Sequence, residues 1–235
     1  MLSFGYLDVW MAKMISSYLS LAGVTTSPSL VEQALAELDA FLNSEQGTAD
    51  AVWSYLIPEL GEGGSCSLFG QLQDAPFELE SYINNNQENK VLLEKLNAIV
   101  QFVVDKTQVD WFGIYANTLT PEGEQLLKLA YHGAPSRPLF PLTEDFAKIS
   151  NNVQVALSSK GRIVNDVAEY VAQGGEYYTC DPKVQSEACL PMFDNISGCT
   201  GIIDAEAFST GIFDEQVLAV LVAACIRIPQ YLPRS

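Results

Sequence analysis

The stretch from Tyr177 to Asn195, "YYTCDPKVQSEACLPMFDN", places Glu187 seven residues after Cys180 and a second thiol, Cys189, two residues beyond that. A cysteine with a carboxylate near it is equipment for nucleophilic catalysis, because the thiolate attacks and the carboxyl group handles a proton. The competing reading is structural, since free cysteine is among the most buried residue types. Further along, "GIIDAEAF" sets Asp204 and Glu206 two apart in an apolar β-type run, so both side chains leave one face of a strand. An unpaired buried carboxylate is costly, and Asp204 must therefore face a pocket, a cap or a cation. In "VDWFGIY", Trp111 and Tyr115 are four apart and share a face, either as core or as the walls of a pocket. Residue chemistry alone points to a small molecule carrying a cation.

Composition removes several alternatives. The chain has 235 residues, 48% of them hydrophobic, enough for a sizeable core. Its 29 acidic against 12 basic residues give a formal charge of -17, which repels phosphate backbones and anionic lipid. Neither nucleic acid nor a membrane surface is an expected partner. The apolar run "YLDVWMAKMISSYLSLAGV" is interrupted by Asp8 and Lys13 and has no basic leader, so it reads as a buried helix. The expected location is cytoplasmic, where Cys66, Cys180, Cys189, Cys199 and Cys225 would be reduced. They form no C-x-x-C pair, and His132 is the single histidine, so no metal site is expected.

The elements that must hold these residues are readable in outline. In "SPSLVEQALAELDAFLN", Ser27 stands at an N-cap, Pro28 opens a helix, and Leu30, Val31, Ala34, Leu35, Leu38, Phe41 and Leu42 recur with helical period. "TADAVWSYLIPEL" suggests a short helix from Thr48 to Pro58, followed by a glycine-rich loop, "GEGGSCSLFG". Leu92, Leu96, Ile99 and Val103 form the stripe of a longer helix. Two β-type runs joined by "LTPEGE" form a hairpin. A polar, helical stretch, the short strand "RIVND" and a loop leading to Cys180 come next, then two apolar strands and a closing helix with Asp214 near its start. This order describes an α+β fold with an antiparallel sheet flanked by helices. Residues 1–84 read as a helical N-terminal extension and 85–235 as the sheet-bearing domain.

Several separated segments resemble a known family. "VDWFGIY" after an amphipathic helix, "CDPKVQSE", "LP" and "GIIDAEAFSTGIFDEQ" are similar, in content and order, to the GAF-domain free methionine-(R)-sulfoxide reductases over residues 88 to 230. The resemblance implies a GAF-like fold and the reduction of free L-methionine-(R)-sulfoxide, with Cys180 as the catalytic thiol that becomes a sulfenic acid. It assigns Glu187, Asp204 and Glu206 to the substrate-site carboxylates, Glu206 standing where the family usually has aspartate. Trp111 and Tyr115 match aromatic walls around the methyl sulfoxide. It implies no bound cofactor, and thioredoxin or a small thiol as the external reductant.

Two departures stand out. The family normally has two further cysteines in and after a Gly-x-Gly-x-Cys-Gly-like turn, one of them resolving the sulfenic acid, whereas "PLTEDFAKISNNVQVALSSKG" has none. Cys189, Cys199 and Cys66 are then the candidate resolving thiols, beside an external one. "GGEYYTC" also lacks the histidine usual before the catalytic cysteine. The alternative function is a non-catalytic GAF-type sensor module using the same pocket, its N-terminal helices serving as a partner or homodimer interface.

Overall fold

The two runs flanking "LTPEGE" form the expected hairpin: β5 (Trp111–Thr120) and β6 (Gly123–His132) are antiparallel, with Thr120 opposite Gly123 at the turn. The computed structural model describes residues 4–60, 67–177, 181–194 and 198–232. Cys66 and Cys180 lie outside the described residues. Around the hairpin are β7 (Leu139–Pro141), β8 (Arg162–Val164), β9 (Ser186–Phe193) and β10 (Cys199–Ala207). They complete a six-stranded sheet of order β7-β6-β5-β10-β9-β8 in which every adjacent pair is antiparallel. The fold is α+β, as the order of elements implied.

Alternation splits the central strands between two cores. Phe112, Ile114, Ala188, Leu190, Ile203 and Ala205 point to one face and join the larger core. That core is completed by α1 (Phe4–Ala22), α2 (Pro28–Leu42), α3 (Gln87–Thr107) and α7 (Glu215–Arg227). Trp111, Tyr115, Cys189 and Ile202 point to the opposite face and pack with α5 (Asn151–Ser158). The N-terminal helices therefore cover the face away from the carboxylates. Tyr18 of α1 donates its hydroxyl to Pro191 O of β9 at 2.9 Å.

The helix ends follow from local chemistry. Asp214 caps α7 by accepting from the backbone N–H of Gln216 and Val217, both at 2.9 Å. Asn86 does the same for α3, and the stripe of Leu92, Leu96, Ile99 and Val103 is buried as its spacing requires. Ser27 precedes α2 with Pro28 at the first position, yet its hydroxyl bonds Ser29 Oγ and caps no backbone N–H.

The helix expected over Thr48–Pro58 is absent. In its place are β1 (Ser54–Tyr55) and β2 (Pro58–Leu60), which pair with β4 (Phe77–Glu78) and β3 (Ser67–Leu72). Tyr55 and Ile57 are buried while Ser54 and Leu56 are exposed, a period of two that was hidden because both faces carry apolar residues. Trp53, Tyr55 and Ile57 also favour extended backbone. The end of the stretch read as a glycine-rich loop belongs to β3. Two short helices, α4 (Glu144–Ala147) and α6 (Val167–Ala172), lie on the connections between strands.

Candidate functional site

Strand register places the chemistry-bearing residues in one patch. Glu206 of β10 lies opposite Glu187 on β9 and opposite Trp111 on β5, while Asp204 lies opposite Cys189 and Gly113. Their side chains share the face covered by α5. A three-strand crossing thus joins segments almost a hundred residues apart in sequence.

The spacing of "WFG" has a steric reason. A Cβ added at Gly113 would fall 2.3 Å from Cη2 of Trp111, so the indole lies against the bare backbone of the residue two further along. Gly133, at φ +102°, leaves room on the other edge, where a Cβ would meet Trp111 Cδ1 at 2.6 Å. The indole Nε1 donates to Ala134 O at 3.0 Å, and Tyr131 stacks on the ring at a centroid distance of 6.4 Å. Tyr115 is buried and donates its hydroxyl to Arg137 O at 3.2 Å. Both aromatic residues therefore brace the 134–137 loop.

Lys128 braces the same loop from behind. It is fully buried; its Nζ donates to Ser136 O at 2.7 Å and to Ser136 Oγ at 2.6 Å, and sits 4.0 Å from the Tyr131 ring centroid. Burial holds its ammonium pKa well below the ordinary lysine value.

Two asparagines at the start of α5 grip the carboxylates. Asn151 Nδ2 donates to Glu187 Oε2 at 2.8 Å, and Asn152 Nδ2 donates to Asp204 Oδ2 at 3.1 Å. Ser150 caps this helix, accepting from Val153 N. These residues lie within the segment where the family resemblance implies cysteines. Asn151 Oδ1 and Asp204 Oδ1 are buried and have no hydrogen-bond partner among the described residues, so the site holds two acceptors in want of a donor.

Electrostatics follow from burial. Asp204 is pushed well above the usual carboxylate range by burial first and then by the charge of Glu187, against the pull of Asn152. Glu206, partly buried, is also pushed well up, by desolvation and then by Asp204 and Glu187. Glu187 is raised by burial, while the hydroxyl of Tyr177, the charge of Arg162 and the amide of Asn151 work in the other direction. Such a group cannot hold three charges at neutral pH without cost.

Glu176 and Tyr177, the last residues described before 178–180, are tied to this cluster. Tyr177 is hydrogen-bonded to Glu187, and Arg162 Nη2 donates to Glu176 O and to Tyr170 Oη. On the other side of Cys180, Asp181 lines the cavity. That cavity measures about 270 Å³ and is bounded by Trp111, Tyr115, Phe140, Asn151, Asn152 and the three carboxylates, with the 134–137 loop at one side.

Among the residues expected at a site, Glu187, Asp204, Glu206, Trp111 and Tyr115 all line this one cavity. Cys189 is fully buried in the smaller core beneath it, and burial pushes its thiol well up. Cys199 is at the far end of β10, five residues from Asp204, a separation of about 17 Å at strand rise. Its thiol donates to Gly201 O at 3.2 Å. Cys225 lies in the opposite core, its thiol pushed up to about 12 by burial. Sequence reading missed Asn151, Asn152, Tyr177, Lys128 and Arg162. Only Ser150, placed just before the apolar "VQVA", carried a local signal, that of an N-cap.

Among the described residues no group of three histidine, cysteine or acidic side chains is arranged to hold a metal ion, and no helix is long and apolar enough to cross a membrane.

No family model and no curated protein matches the chain. Solved structures do. The type II free methionine-R-sulfoxide reductase of Thermoplasma acidophilum is 19% identical, over 62% of this chain and 94% of that one, with a TM-score of 0.51. The free methionine-R-sulfoxide reductase of Neisseria meningitidis, solved with its substrate, is 18% identical over 62% and 83%, with a TM-score of 0.46. The GAF domain of an Acinetobacter phosphoenolpyruvate-protein phosphotransferase is 17% identical over 60% and 80%, with a TM-score of 0.47. The likeness is one of fold, and the fold is GAF-like.

Proposed function

We propose that this protein reduces free L-methionine-(R)-sulfoxide to methionine, with Cys180 as nucleophile. The observation that carries this reading is the convergence of Glu187, Asp204 and Glu206 on one cavity walled by Trp111 and Tyr115. A fold shared with a free methionine-R-sulfoxide reductase supports it.

Each part of the pocket has a task. The substrate ammonium donates to the unpartnered oxygens of Asp204 and Asn151, which is why a free amino acid suits the site. The aromatic walls receive the methyl group. The Cys180 thiolate attacks the sulfoxide sulfur and the S–O bond breaks. The departing oxygen takes a proton from a carboxyl group that burial keeps protonated and leaves as hydroxide, which adds to the Cys180 sulfur as the newly formed S–S bond breaks, giving methionine and a sulfenic acid on Cys180. A first external thiol condenses with the sulfenic acid, releasing water, and a second reduces the mixed disulfide to restore Cys180. An external thiol, whether small or that of thioredoxin, fits this chain because Cys189 is sealed in a core and Cys199 lies at the far end of its strand. A reducing cytoplasm supplies such thiols. In this reading residues 85–235 form the GAF-like catalytic domain and residues 1–84 its extension.

A second reading has its own observation. Asn151 and Asn152 occupy the segment where a resolving cysteine is expected and lock two carboxylates in place, which suits a GAF-type module that binds an amino acid without turning it over. A single-turnover experiment separates the two. With no reductant present, the reductase reading requires up to one methionine formed per chain and a sulfenic acid on Cys180 that dimedone traps for mass spectrometry. Saturable binding with no methionine formed sinks it in favour of the binding module.

A further inference from the structure

Pro58, Gly70 and Leu72 line the cavity, and all three belong to the β2–β3 ladder of the N-terminal segment. We propose that this ladder is a specificity wall of the ligand site, with Leu72 at the rim limiting the size of the ligand admitted. The identity of the ligand rests on the reductase reading; the wall itself rests on geometry alone.

The wall is fixed where it meets the cavity. Leu72 pairs with Pro58 across the ladder. The next residue, Gln73, donates its backbone N–H to Ile57 O at 3.0 Å and its side-chain amide to Pro58 O at 3.3 Å. The same segment is joined to the pocket frame through Lys128. A bulge between β5 and β6 shifts the register at Tyr115, whose partner is Lys128, and the Lys128 carbonyl accepts from the Tyr55 hydroxyl at 2.8 Å. The Tyr55 ring lies 4.9 Å from Lys128 Nζ and 5.3 Å from the Tyr131 ring. Lys128 continues to Ser136 in the 134–137 loop. One buried lysine thus connects the N-terminal segment with a loop that bounds the cavity.

The chemistry of the wall is that of exclusion. Pro58 and Leu72 are apolar and line a cavity that the three carboxylates also line. The volume of about 270 Å³ falls just below the roughly 300–1,000 Å³ of pockets that enclose drug-sized ligands. A free amino acid fits, and an added group must displace the rim. Leu72 is 42% exposed, so its replacement leaves both cores intact.

The test compares wild type, Leu72→Ala and Leu72→Phe in two measurements. The first is kcat/KM for free L-methionine-(R)-sulfoxide, its methyl ester and ethionine sulfoxide, the latter two enlarging the substrate at either end. Leu72→Ala is expected to improve at least one enlarged substrate relative to the parent by about tenfold, and Leu72→Phe to raise KM for the parent several-fold with kcat held. The second is acrylamide quenching of Trp111 fluorescence in a Trp10→Phe, Trp53→Phe background, which needs no ligand. Quenching should rise in Leu72→Ala and fall in Leu72→Phe, which adds bulk without adding an indole. Turnover with unchanged substrate ratios overturns the wall and leaves the reductase reading standing. Absence of turnover in wild type overturns the reductase reading, and quenching then decides the wall alone: equal quenching in all three proteins overturns it.

Discussion

Glu206 stands directly opposite Glu187 in the β9–β10 ladder, two acidic residues paired across adjacent central strands. Like charges so placed repel, and desolvation adds to the penalty, so the cluster retains protons that the unfolded chain would release.

This arrangement fixes a pH dependence. All three carboxyl groups have folded pKa values raised above their unfolded ones. The folded state therefore binds more protons from about pH 4 upward, and the stability held by the neutral forms is complete below that pH and lost as pH rises through the folded values. Asp204→Asn keeps an acceptor for Asn152 and removes one titrating group. Its melting temperature is expected to exceed that of wild type by more at pH 8 than at pH 4. Equal differences at the two pH values would count against a protonated cluster.

The reaction should share that dependence. If a neutral carboxyl group donates the proton, the single-turnover rate falls on the alkaline side as the cluster ionises. Glu206→Gln and Asp204→Asn measured across pH identify the donor: the variant that loses its donor loses the alkaline limb together with most of the rate. A rate that is flat through the alkaline range in wild type would rule out a carboxyl donor.

Gly113→Ala tests the aromatic wall. The added methyl lands 2.3 Å from the Trp111 ring, and overpacking of this kind costs about 1–3 kcal/mol. Urea unfolding should show that loss, and Trp111 fluorescence should shift as the indole leaves its seat. Wild-type stability and spectrum in Gly113→Ala would mean that the indole does not lie on Gly113.

Asn151→Ala removes a donor from a buried carboxylate, and an acceptor left unpaired costs about 1–3 kcal/mol. Asn151→Asp replaces the donor with a fourth acidic group and should be the more damaging of the two, increasingly so as pH rises from 5 to 8. Equal stabilities for the two variants at pH 8 would show that Asn151 does not serve the carboxylates.

Much of the sheet was legible because each strand repeats a simple signal. The turn residues of "LTPEGE" announced the hairpin, and the i, i+2 spacing of Asp204 and Glu206 announced a shared face that the register then delivered. The 48–58 segment misled because Val52, Leu56 and Ile57 are apolar on both faces, leaving no contrast from which to read a period of two. Asn151 and Asn152 were illegible for another reason. A polar side chain on a helix start gives no sign of a carboxylate 36 or 52 residues away until the fold brings them together. Nothing in the sequence around Lys128 signals burial, and only the fold, by setting the rings of Tyr55 and Tyr131 beside its ammonium, accounts for it.

The most direct measurement is turnover of free L-methionine-(R)-sulfoxide with dithiothreitol, wild type beside Cys180→Ser, with folding of both verified by circular dichroism. The expected result is methionine formed over many cycles by the wild type and none above background by Cys180→Ser. Equal rates in the two proteins, or no product from a folded wild type, would contradict Cys180 as the nucleophile of a sulfoxide reductase.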